Sequence, residues 1–397
     1  MIAVLLCACN PLDMPLSTGI SRLEAYGSSG RSRQGGWAPA GKPETDTSIV
    51  VSGVEFPDNY DWQRDTAYGN VCGNLVLFRD GKRVTTLAAG LGQQASLAAD
   101  MHCLSQGHLL SWNVCGDRTV VLKDGKKLLD FPGKEVLKGL LERPDGIYTL
   151  GQESSGNAFS LRKDGIVLLS EEGRVYRSLY EDEGHLYFGF VRDIGESRAR
   201  FLVTDGAAAA SRSVTGEGEV LDELMHGGVL YQIVDLGTDG TAVCDSKGGQ
   251  YWLTRNNYLE FRSLSLIEYG SGVAAEGLIV YNSSYSNSVL WTETGEAARV
   301  SGDAWFYLSE DDAGPNTVAS LYQKDTWSWA VLRPDRIIAD LPERCFLPSR
   351  DVGVLAGSTL YLALSPLGGK PYIWSSRARG DVFEINGFLT GIELVTE

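Results

Sequence analysis

Short apolar, β-branched runs alternate with polar turns along most of this chain. One unit recurs eight times: an apolar run, a turn built on Asp-Gly or a related pair, and a second short run. The turn positions are Gly81, Gly125, Gly165, Gly206, Gly248, Gly295, Asp335 and Gly380. They are about 43 residues apart on average, and self-similarity on that scale, built on strands, is typical of a β-propeller with four strands per blade.

A second pattern runs in phase with the first. A glycine and an apolar run, usually ending in tyrosine, precede the turns, as at 184–187 and 228–231. Asp-Gly suits a two-residue hairpin turn because both residues tolerate positive φ. The two patterns therefore predict an all-β fold, a single propeller of eight four-stranded blades. A β-solenoid or a stacked sandwich is the alternative architecture.

The two ends of the repeat region are complementary. The first hairpin, 75–87, is preceded by a single strand, 48–56, which matches the second strand of a blade. Residues 388–395 stand where the first strand of a further repeat would begin. Since a ring leaves no open sheet edge only when its ends interlock, we expect 388–395 to pair with 48–56 and complete blade one.

The N-terminal part differs in composition from the repeats. An apolar stretch leads into Leu6-Cys7-Ala8-Cys9, which resembles a bacterial lipobox with Cys9 as the lipidated residue. The alternative is an ordinary apolar terminus with two chance cysteines. Residues 10–45 are rich in Ser, Gly and Pro, a composition typical of a flexible linker. We therefore divide the chain into a signal remnant (1–9), a linker (10–45) and the propeller (46–397).

Three segments of the repeats carry a family resemblance: LFRDGK at 77–82, LWTETG at 290–295 and VVSG at 50–53. In these segments the chain resembles the β-propeller lipoproteins of Bacteroidota. The resemblance covers residues 46–397 and implies a location in the cell envelope and a binding role. It supplies no catalytic residues.

The charge of the chain limits its partners. Asp and Glu number 51 against 35 Lys and Arg, giving a net charge of −16. Because nucleic acids and anionic lipid head groups need a basic surface, we expect neither as a partner. The membrane would be reached only through the lipid on Cys9. We expect a monomer without a cofactor. We also expect no metal site, since the histidines show no metal-binding spacing. These are His102, His108, His185 and His226.

The loops between the second and third strands of each blade vary most, which favours them as the functional face. The longest, in blade one, offers Tyr60, Trp62 and Tyr68 beside amides and carboxylates. Loops of later blades add Asn282, Tyr285, Asp325 and Trp327. Aromatic faces beside such polar groups suit sugar rings, so we treat these seven residues as candidate ligand contacts. The alternative is that the aromatic rings pack the loops themselves.

Two functions remain open from the sequence. The first is a non-enzymatic binding or interaction module for a glycan, a peptide or an envelope protein. The second is a polysaccharide-active hydrolase or lyase on a propeller. Since no convergent set of acids with a histidine or tyrosine can be recognised, the sequence favours binding, with no catalytic residue assigned.

Overall fold

The computed structural model describes residues 47–62, 73–87, 102–115, 117–153, 156–194, 197–255, 260–269, 272–282, 285–301, 304–307, 316–323, 326–333, 336–341, 345–347, 350–356, 359–375 and 379–396. Within these ranges the regular structure consists of β-strands and two short 3₁₀ turns, η1 (Gly237–Asp239) and η2 (Arg350–Val352). No helix in this part of the chain is long and apolar enough to cross a membrane.

Seven sheets contain four strands each. One unites the two ends of the described chain, in the order β3-β2-β1-β33: β1 (Thr47–Glu55), β2 (Asn74–Arg79), β3 (Lys82–Leu87) and β33 (Gly387–Thr396). Two follow: β4 (His102–Ser105), β5 (His108–Cys115), β6 (Arg118–Lys123) and β7 (Lys126–Pro132); then β8 (Glu135–Arg143), β9 (Gly146–Glu153), β10 (Ala158–Lys163) and β11 (Ile166–Glu172).

The other four sheets of this kind continue in chain order. The first of them consists of β12 (Arg174–Asp182), β13 (His185–Ile194), β14 (Ser197–Thr204) and β15 (Ala207–Ala210). The second consists of β16 (Glu219–His226), β17 (Val229–Asp235), β18 (Thr241–Asp245) and β19 (Gln250–Thr254). The last two are β20 (Glu260–Tyr269), β21 (Gly272–Asn282), β22 (Tyr285–Thr292) and β23 (Gly295–Ser301); then β24 (Ala304–Tyr307), β25 (Asn316–Gln323), β26 (Thr326–Arg333) and β27 (Arg336–Asp340).

One further sheet is irregular and has five strands: β28 (Cys345–Phe346), β29 (Gly353–Ala356), β30 (Thr359–Pro366), β31 (Tyr372–Ser375) and β32 (Arg379–Val382). Both β28 and β29 pair with β30, because the first strand is interrupted between Phe346 and Gly353, where η2 lies. The prediction of eight four-stranded blades is therefore corrected to seven. The repeat at 345–382 departs from the pattern because an inserted segment splits its first strand.

The sheets are arranged around a centre. The first strands of successive sheets contact each other, as β8 does β12, β16 does β20 and β33 does β4. The first strands are thus innermost and the last strands lie outside. This is an all-β β-propeller, the fold class that the repeat predicted.

The Asp-Gly turns explain why the repeat is visible in the sequence. In the hairpin β6–β7, the carboxylate of Asp124 accepts a hydrogen bond of 2.9 Å from the N–H of Leu109 on β5, and its own N–H donates to the Leu109 carbonyl. Asp205 makes the same two bonds with Leu186. Asp124 has a φ of 48°, which Asp tolerates better than most residues. Each such turn thus ties the outer hairpin of a blade to its second strand.

The ring closes by the predicted pairing. β33 runs antiparallel to β1, from Gly387 opposite Glu55 to Thr396 opposite Thr47, so the prediction that 388–395 pair with 48–56 is confirmed. A bulge interrupts the ladder between Ser52 and Gly53. Closure of this kind leaves neither end of the described chain as an open inner edge.

Candidate functional site

An open groove of about 670 Å³ lies where the first blade meets the irregular five-stranded sheet. Three segments line it: 58–61 after β1, 368–370 between β30 and β31, and 384–386 before β33. We call it the seam groove. All three segments lie at the end of the sheets that carries the connections between second and third strands and between blades. This is the face that loop variability predicted as functional.

The blade-one loop turns sharply as it leaves β1. The Phe56 ring is buried, and the N–H of Tyr60 donates a hydrogen bond of 2.9 Å to the carbonyl of Pro57. The two residues between them, Asp58 and Asn59, are exposed at the tip of this turn. The turn thus holds a carboxylate and an amide above the groove.

The side chain of Asn386, on the opposite wall, forms hydrogen bonds with this loop. The amide nitrogen of Asn386 donates hydrogen bonds to the carbonyl of Pro57 at 2.6 Å and to that of Tyr60 at 2.8 Å. The carbonyl of Asn386 accepts a further bond of 2.8 Å from the N–H of Phe56. The shape of the groove therefore depends on a contact between residues from the two ends of the described chain.

Aromatic rings form the support beneath the loop. Trp62 is only 2 % exposed and packs against Phe388 of β33, with ring centroids 5.5 Å apart, and against Phe346 at 6.0 Å. Phe56 lies at 6.4 Å. Trp62 thus occupies the packing role that the sequence left open as the alternative, and its buried ring offers no surface to a ligand in this arrangement.

The groove is rich in carboxylates. Asp58, Asp61 and Glu384 line it, with Lys370 as the one cationic side chain among its described lining residues. Lys370 forms an ion pair with Glu384. The amides of Asn59 and Asn386 add neutral polar groups, and Tyr60 adds a half-buried ring. Such a surface can hold hydroxyl or amino groups through carboxylate oxygens while an aromatic edge contacts an apolar face.

The other predicted contact residues are placed less fully. Tyr68 and Asp325 lie outside the described residues, as does Cys9. Asn282, at the end of β21, pairs with Tyr285, at the start of β22. Trp327 of β26 pairs with Tyr322 of β25. Only the backbones of these residues are described. These residues belong to two other sheets than those that form the seam groove. Of the candidates, the structure places Tyr60 in the groove.

Sequence reasoning did not identify Lys370, Glu384 or Asn386 as site residues. The sequence pointed to them only indirectly. Lys370 lies in the loop between β30 and β31, and Glu384 and Asn386 lie in the loop between β32 and β33. The predicted pairing of 388–395 with 48–56 already implied that these loops meet the blade-one loop. Combining ring closure with loop position would therefore have pointed to them.

The histidines have nearby partners. His108 lies 2.7 Å from Asp124, His185 lies 2.6 Å from Asp205, and His102 lies 2.7 Å from the hydroxyl of Thr390. The hydrogen bond from His185 is the main reason that the pKa of Asp205 is lowered. Among the described residues, no group of three or more His, Cys, Asp or Glu side chains is placed to hold a metal ion.

A second polar cluster surrounds the buried carboxylate of Glu223. Glu223, 1 % exposed, accepts hydrogen bonds from the Tyr176 hydroxyl at 3.0 Å and the Gln232 amide at 3.2 Å, and from the Ser211 hydroxyl. Burial, followed by the charge of Glu223, raises the pKa of Tyr176. The polar groups of this cluster are hydrogen-bonded to one another and connect two neighbouring sheets. We therefore assign the cluster to fold stability rather than to ligand binding.

Comparison with known proteins supports the fold. No protein-family model matches this sequence, and no curated protein sequence matches it. The solved structure of apo AztD from Citrobacter koseri is similar, with 10% identity, a TM-score of 0.51 and coverage of 88% of this chain and 98% of that chain. The dihydro-heme d1 dehydrogenase NirN, solved with DHE, shows 10% identity and a TM-score of 0.50, covering 89% of this chain and 76% of that chain. At such identity, these similarities show a shared β-propeller fold.

Proposed function

We propose that this protein is a non-enzymatic binding module of the cell envelope, and that it binds a glycan in the seam groove. The observation that carries the proposal is the lining of the groove, where the turn at 58–61 faces Lys370, Glu384 and Asn386 across the seam. The blade-one loop is the longest second-to-third-strand loop in the sequence, and it forms one wall of this groove.

The chemistry of the lining suits a sugar. Carboxylate and amide oxygens at Asp58, Asp61 and Asn59 accept hydrogen bonds from hydroxyl groups, and the Tyr60 ring offers an apolar contact. Because the groove is open to solvent, it can take one stretch of a chain whose ends continue into solvent. A polysaccharide is bound in this way without being enclosed.

The charge of the groove narrows the class of glycan. Three carboxylates face a single ammonium group, which is already paired with Glu384. A uronic acid or a sulfated sugar would meet repulsion here. A neutral glycan, or one with free amino groups, meets none, so the proposal is for neutral or basic sugars.

The test is binding of the purified chain to a glycan array, followed by titration calorimetry on the glycans that bind. Asp58→Asn and Asp61→Asn should each weaken binding about tenfold, the scale of one lost hydrogen bond to a charged group. The matched control is Asp193→Asn, because Asp193 is also an exposed carboxylate, on β13 outside the groove. It should bind as the unaltered chain does.

Two outcomes would contradict this function. Binding that is unchanged in both groove variants would place the glycan elsewhere, and an array with no bound glycan would remove the ligand class. Release of reducing ends or unsaturated products from the bound glycans would instead favour the alternative, a hydrolase or lyase of propeller fold.

The envelope location is a separate part of the proposal and rests on the Leu6-Cys7-Ala8-Cys9 segment. Cys9→Ala should move the protein from the membrane fraction to the soluble fraction in the native host. Cys7→Ala is the matched control and should leave the protein in the membrane fraction. Membrane association that survives Cys9→Ala would exclude a lipid anchor at this residue.

A further inference from the structure

The outer strands of this propeller share a protective feature. In seven sheets, the ladder between the third and the last strand contains a register shift, so the pairing of the outer strand is irregular. The last strands of these sheets are β3, β7, β11, β19, β23, β27 and β32. Most of them also carry Lys, Arg, Asp or Glu. Bulges and charges are the usual devices that stop an exposed edge from pairing with another chain.

β15 lacks both devices. Its four residues, Ala207–Ala210, pair with β14 in an unbroken register from Thr204 opposite Ala207 to Phe201 opposite Ala210. All four alanines are exposed, and the run contains no charge and no proline. Among the described strands, β15 pairs only with β14. It is therefore a straight outer edge with small side chains, open to a further strand.

We propose that β15 is a self-association edge, on which β15 of a second copy pairs antiparallel to form a two-fold dimer with a continuous eight-stranded sheet. A two-fold axis brings the same strand from both copies together, so each residue of β15 lies opposite a residue of β15 in the second copy. In β15, alanines face alanines and no like charges meet.

The charges around β15 also favour a second copy in this direction. The strand begins two residues after Asp205, at an acidic end where burial, followed by the charges of Asp182, Asp205 and Glu183, raises the pKa of Tyr187. It ends two residues before the exposed Arg212, which makes this end basic. An antiparallel arrangement places the acidic end of one copy beside the basic end of the other, twice in the dimer. Opposite charges thus meet at both ends of the shared edge.

The test is sedimentation equilibrium of the full 397-residue chain over a wide range of concentrations. Because four-residue pairing buries little surface, we expect a weak, concentration-dependent monomer–dimer equilibrium rather than a permanent dimer. The double variant Ala208→Lys/Ala209→Lys, which puts like charges across the two-fold axis, should weaken dimerisation at least tenfold. Arg212→Glu, beyond the end of the strand, should weaken it less, and high salt should reduce the difference between that variant and the unaltered chain.

The matched control is Val167→Lys on β11, another exposed outer strand, which has a bulge. It should dimerise as the unaltered chain does, and circular dichroism should show that all variants are folded. A chain that stays monomeric at every concentration would overturn the proposal and leave the monomer expected from the sequence. So would a dimer that survives the double lysine variant, because its interface would lie elsewhere. The outcome is independent of whether the seam groove binds a glycan.

Discussion

The side-chain amide of Asn386 donates a hydrogen bond of 2.8 Å to the carbonyl oxygen of Tyr60. This bond joins the loop before the last strand to the loop after the first strand. It therefore lies on the seam of the ring and at the same time shapes the candidate binding groove.

Asn386→Asp should loosen the blade-one loop. A carboxylate has the shape of the amide but cannot donate to the carbonyls of Pro57 and Tyr60, so two acceptors lose their partner. We expect a loss of about 1–3 kcal/mol in the free energy of unfolding, measured by urea denaturation. Asn59→Asp, the same change at an exposed position of the loop, is the control and should cost much less. Equal stability of the two variants would show that the bonds contribute little.

Deleting residues 387–397 should prevent cooperative folding. The deletion removes β33 and leaves β1 with an unpaired inner edge, while the buried side chains of Phe388, Leu389 and Ile392 are lost from the core. We expect aggregation during refolding and no sharp thermal transition, measured by light scattering and calorimetry. Adding a synthetic 387–397 peptide should restore part of the transition. A truncated chain that stays soluble and melts cooperatively would argue that β33 is dispensable for closure.

Trp62→Ala should destabilise the fold strongly. The side chain is 2 % exposed among Phe56, Phe346 and Phe388, and removing a buried tryptophan typically costs about 3–5 kcal/mol. A ligand contact at Trp62, the role that the sequence analysis considers first, would instead affect binding and leave the melting temperature nearly unchanged; the burial of the ring favours the packing role. Trp62→Phe, which refills part of the space, should lose clearly less in chemical denaturation. An unaltered melting temperature in Trp62→Ala would contradict the packing role.

Acid should weaken one surface contact over a defined pH range. Hydrogen bonds from Lys163 at 2.7 Å and from Tyr148 at 2.8 Å lower the pKa of Asp145 to about 2. Because this pKa lies below the unfolded value of about 3.9, the carboxylate stabilises the fold above that value and loses this contribution as the pH falls towards 2. The effect is small since Asp145 is exposed.

The measurement is an NMR titration of the Asp145 carboxyl carbon, with Lys163→Met as the comparison variant. Removing the ammonium group should move the pKa of Asp145 back towards its ordinary value. The difference in melting temperature between the unaltered chain and Asp145→Asn should shrink below about pH 4, where Asp145 of the unfolded chain takes up a proton before that of the folded chain does. A pKa of Asp145 that does not respond to Lys163→Met would show that another contact lowers it.

The repeat pattern was sufficient for much of the fold, for reasons visible in single turns. Asp124 and Gly125 recur in equivalent form in four hairpins, where positive φ at both positions is combined with a carboxylate that binds the second strand. Such local requirements leave a mark in the sequence of each of these blades. The pairing of 388–395 with 48–56 was also predictable, because it follows from which strands lacked a partner.

What the sequence could not determine depends on contacts between distant segments. The interruption between Phe346 and Gly353 lies in a repeat whose turn still matches the others, so only the strand pairing reveals the split strand. Trp62 reads as an exposed loop aromatic until ring closure brings Phe388 and Phe346 against it. The sequence by itself determined the propeller, its turns and its closing strand, since these arise from local conformation and from unpaired edges. Only the tertiary structure decided which loop residues are buried and which line the seam groove, because that depends on how the first blade packs against the irregular five-stranded sheet.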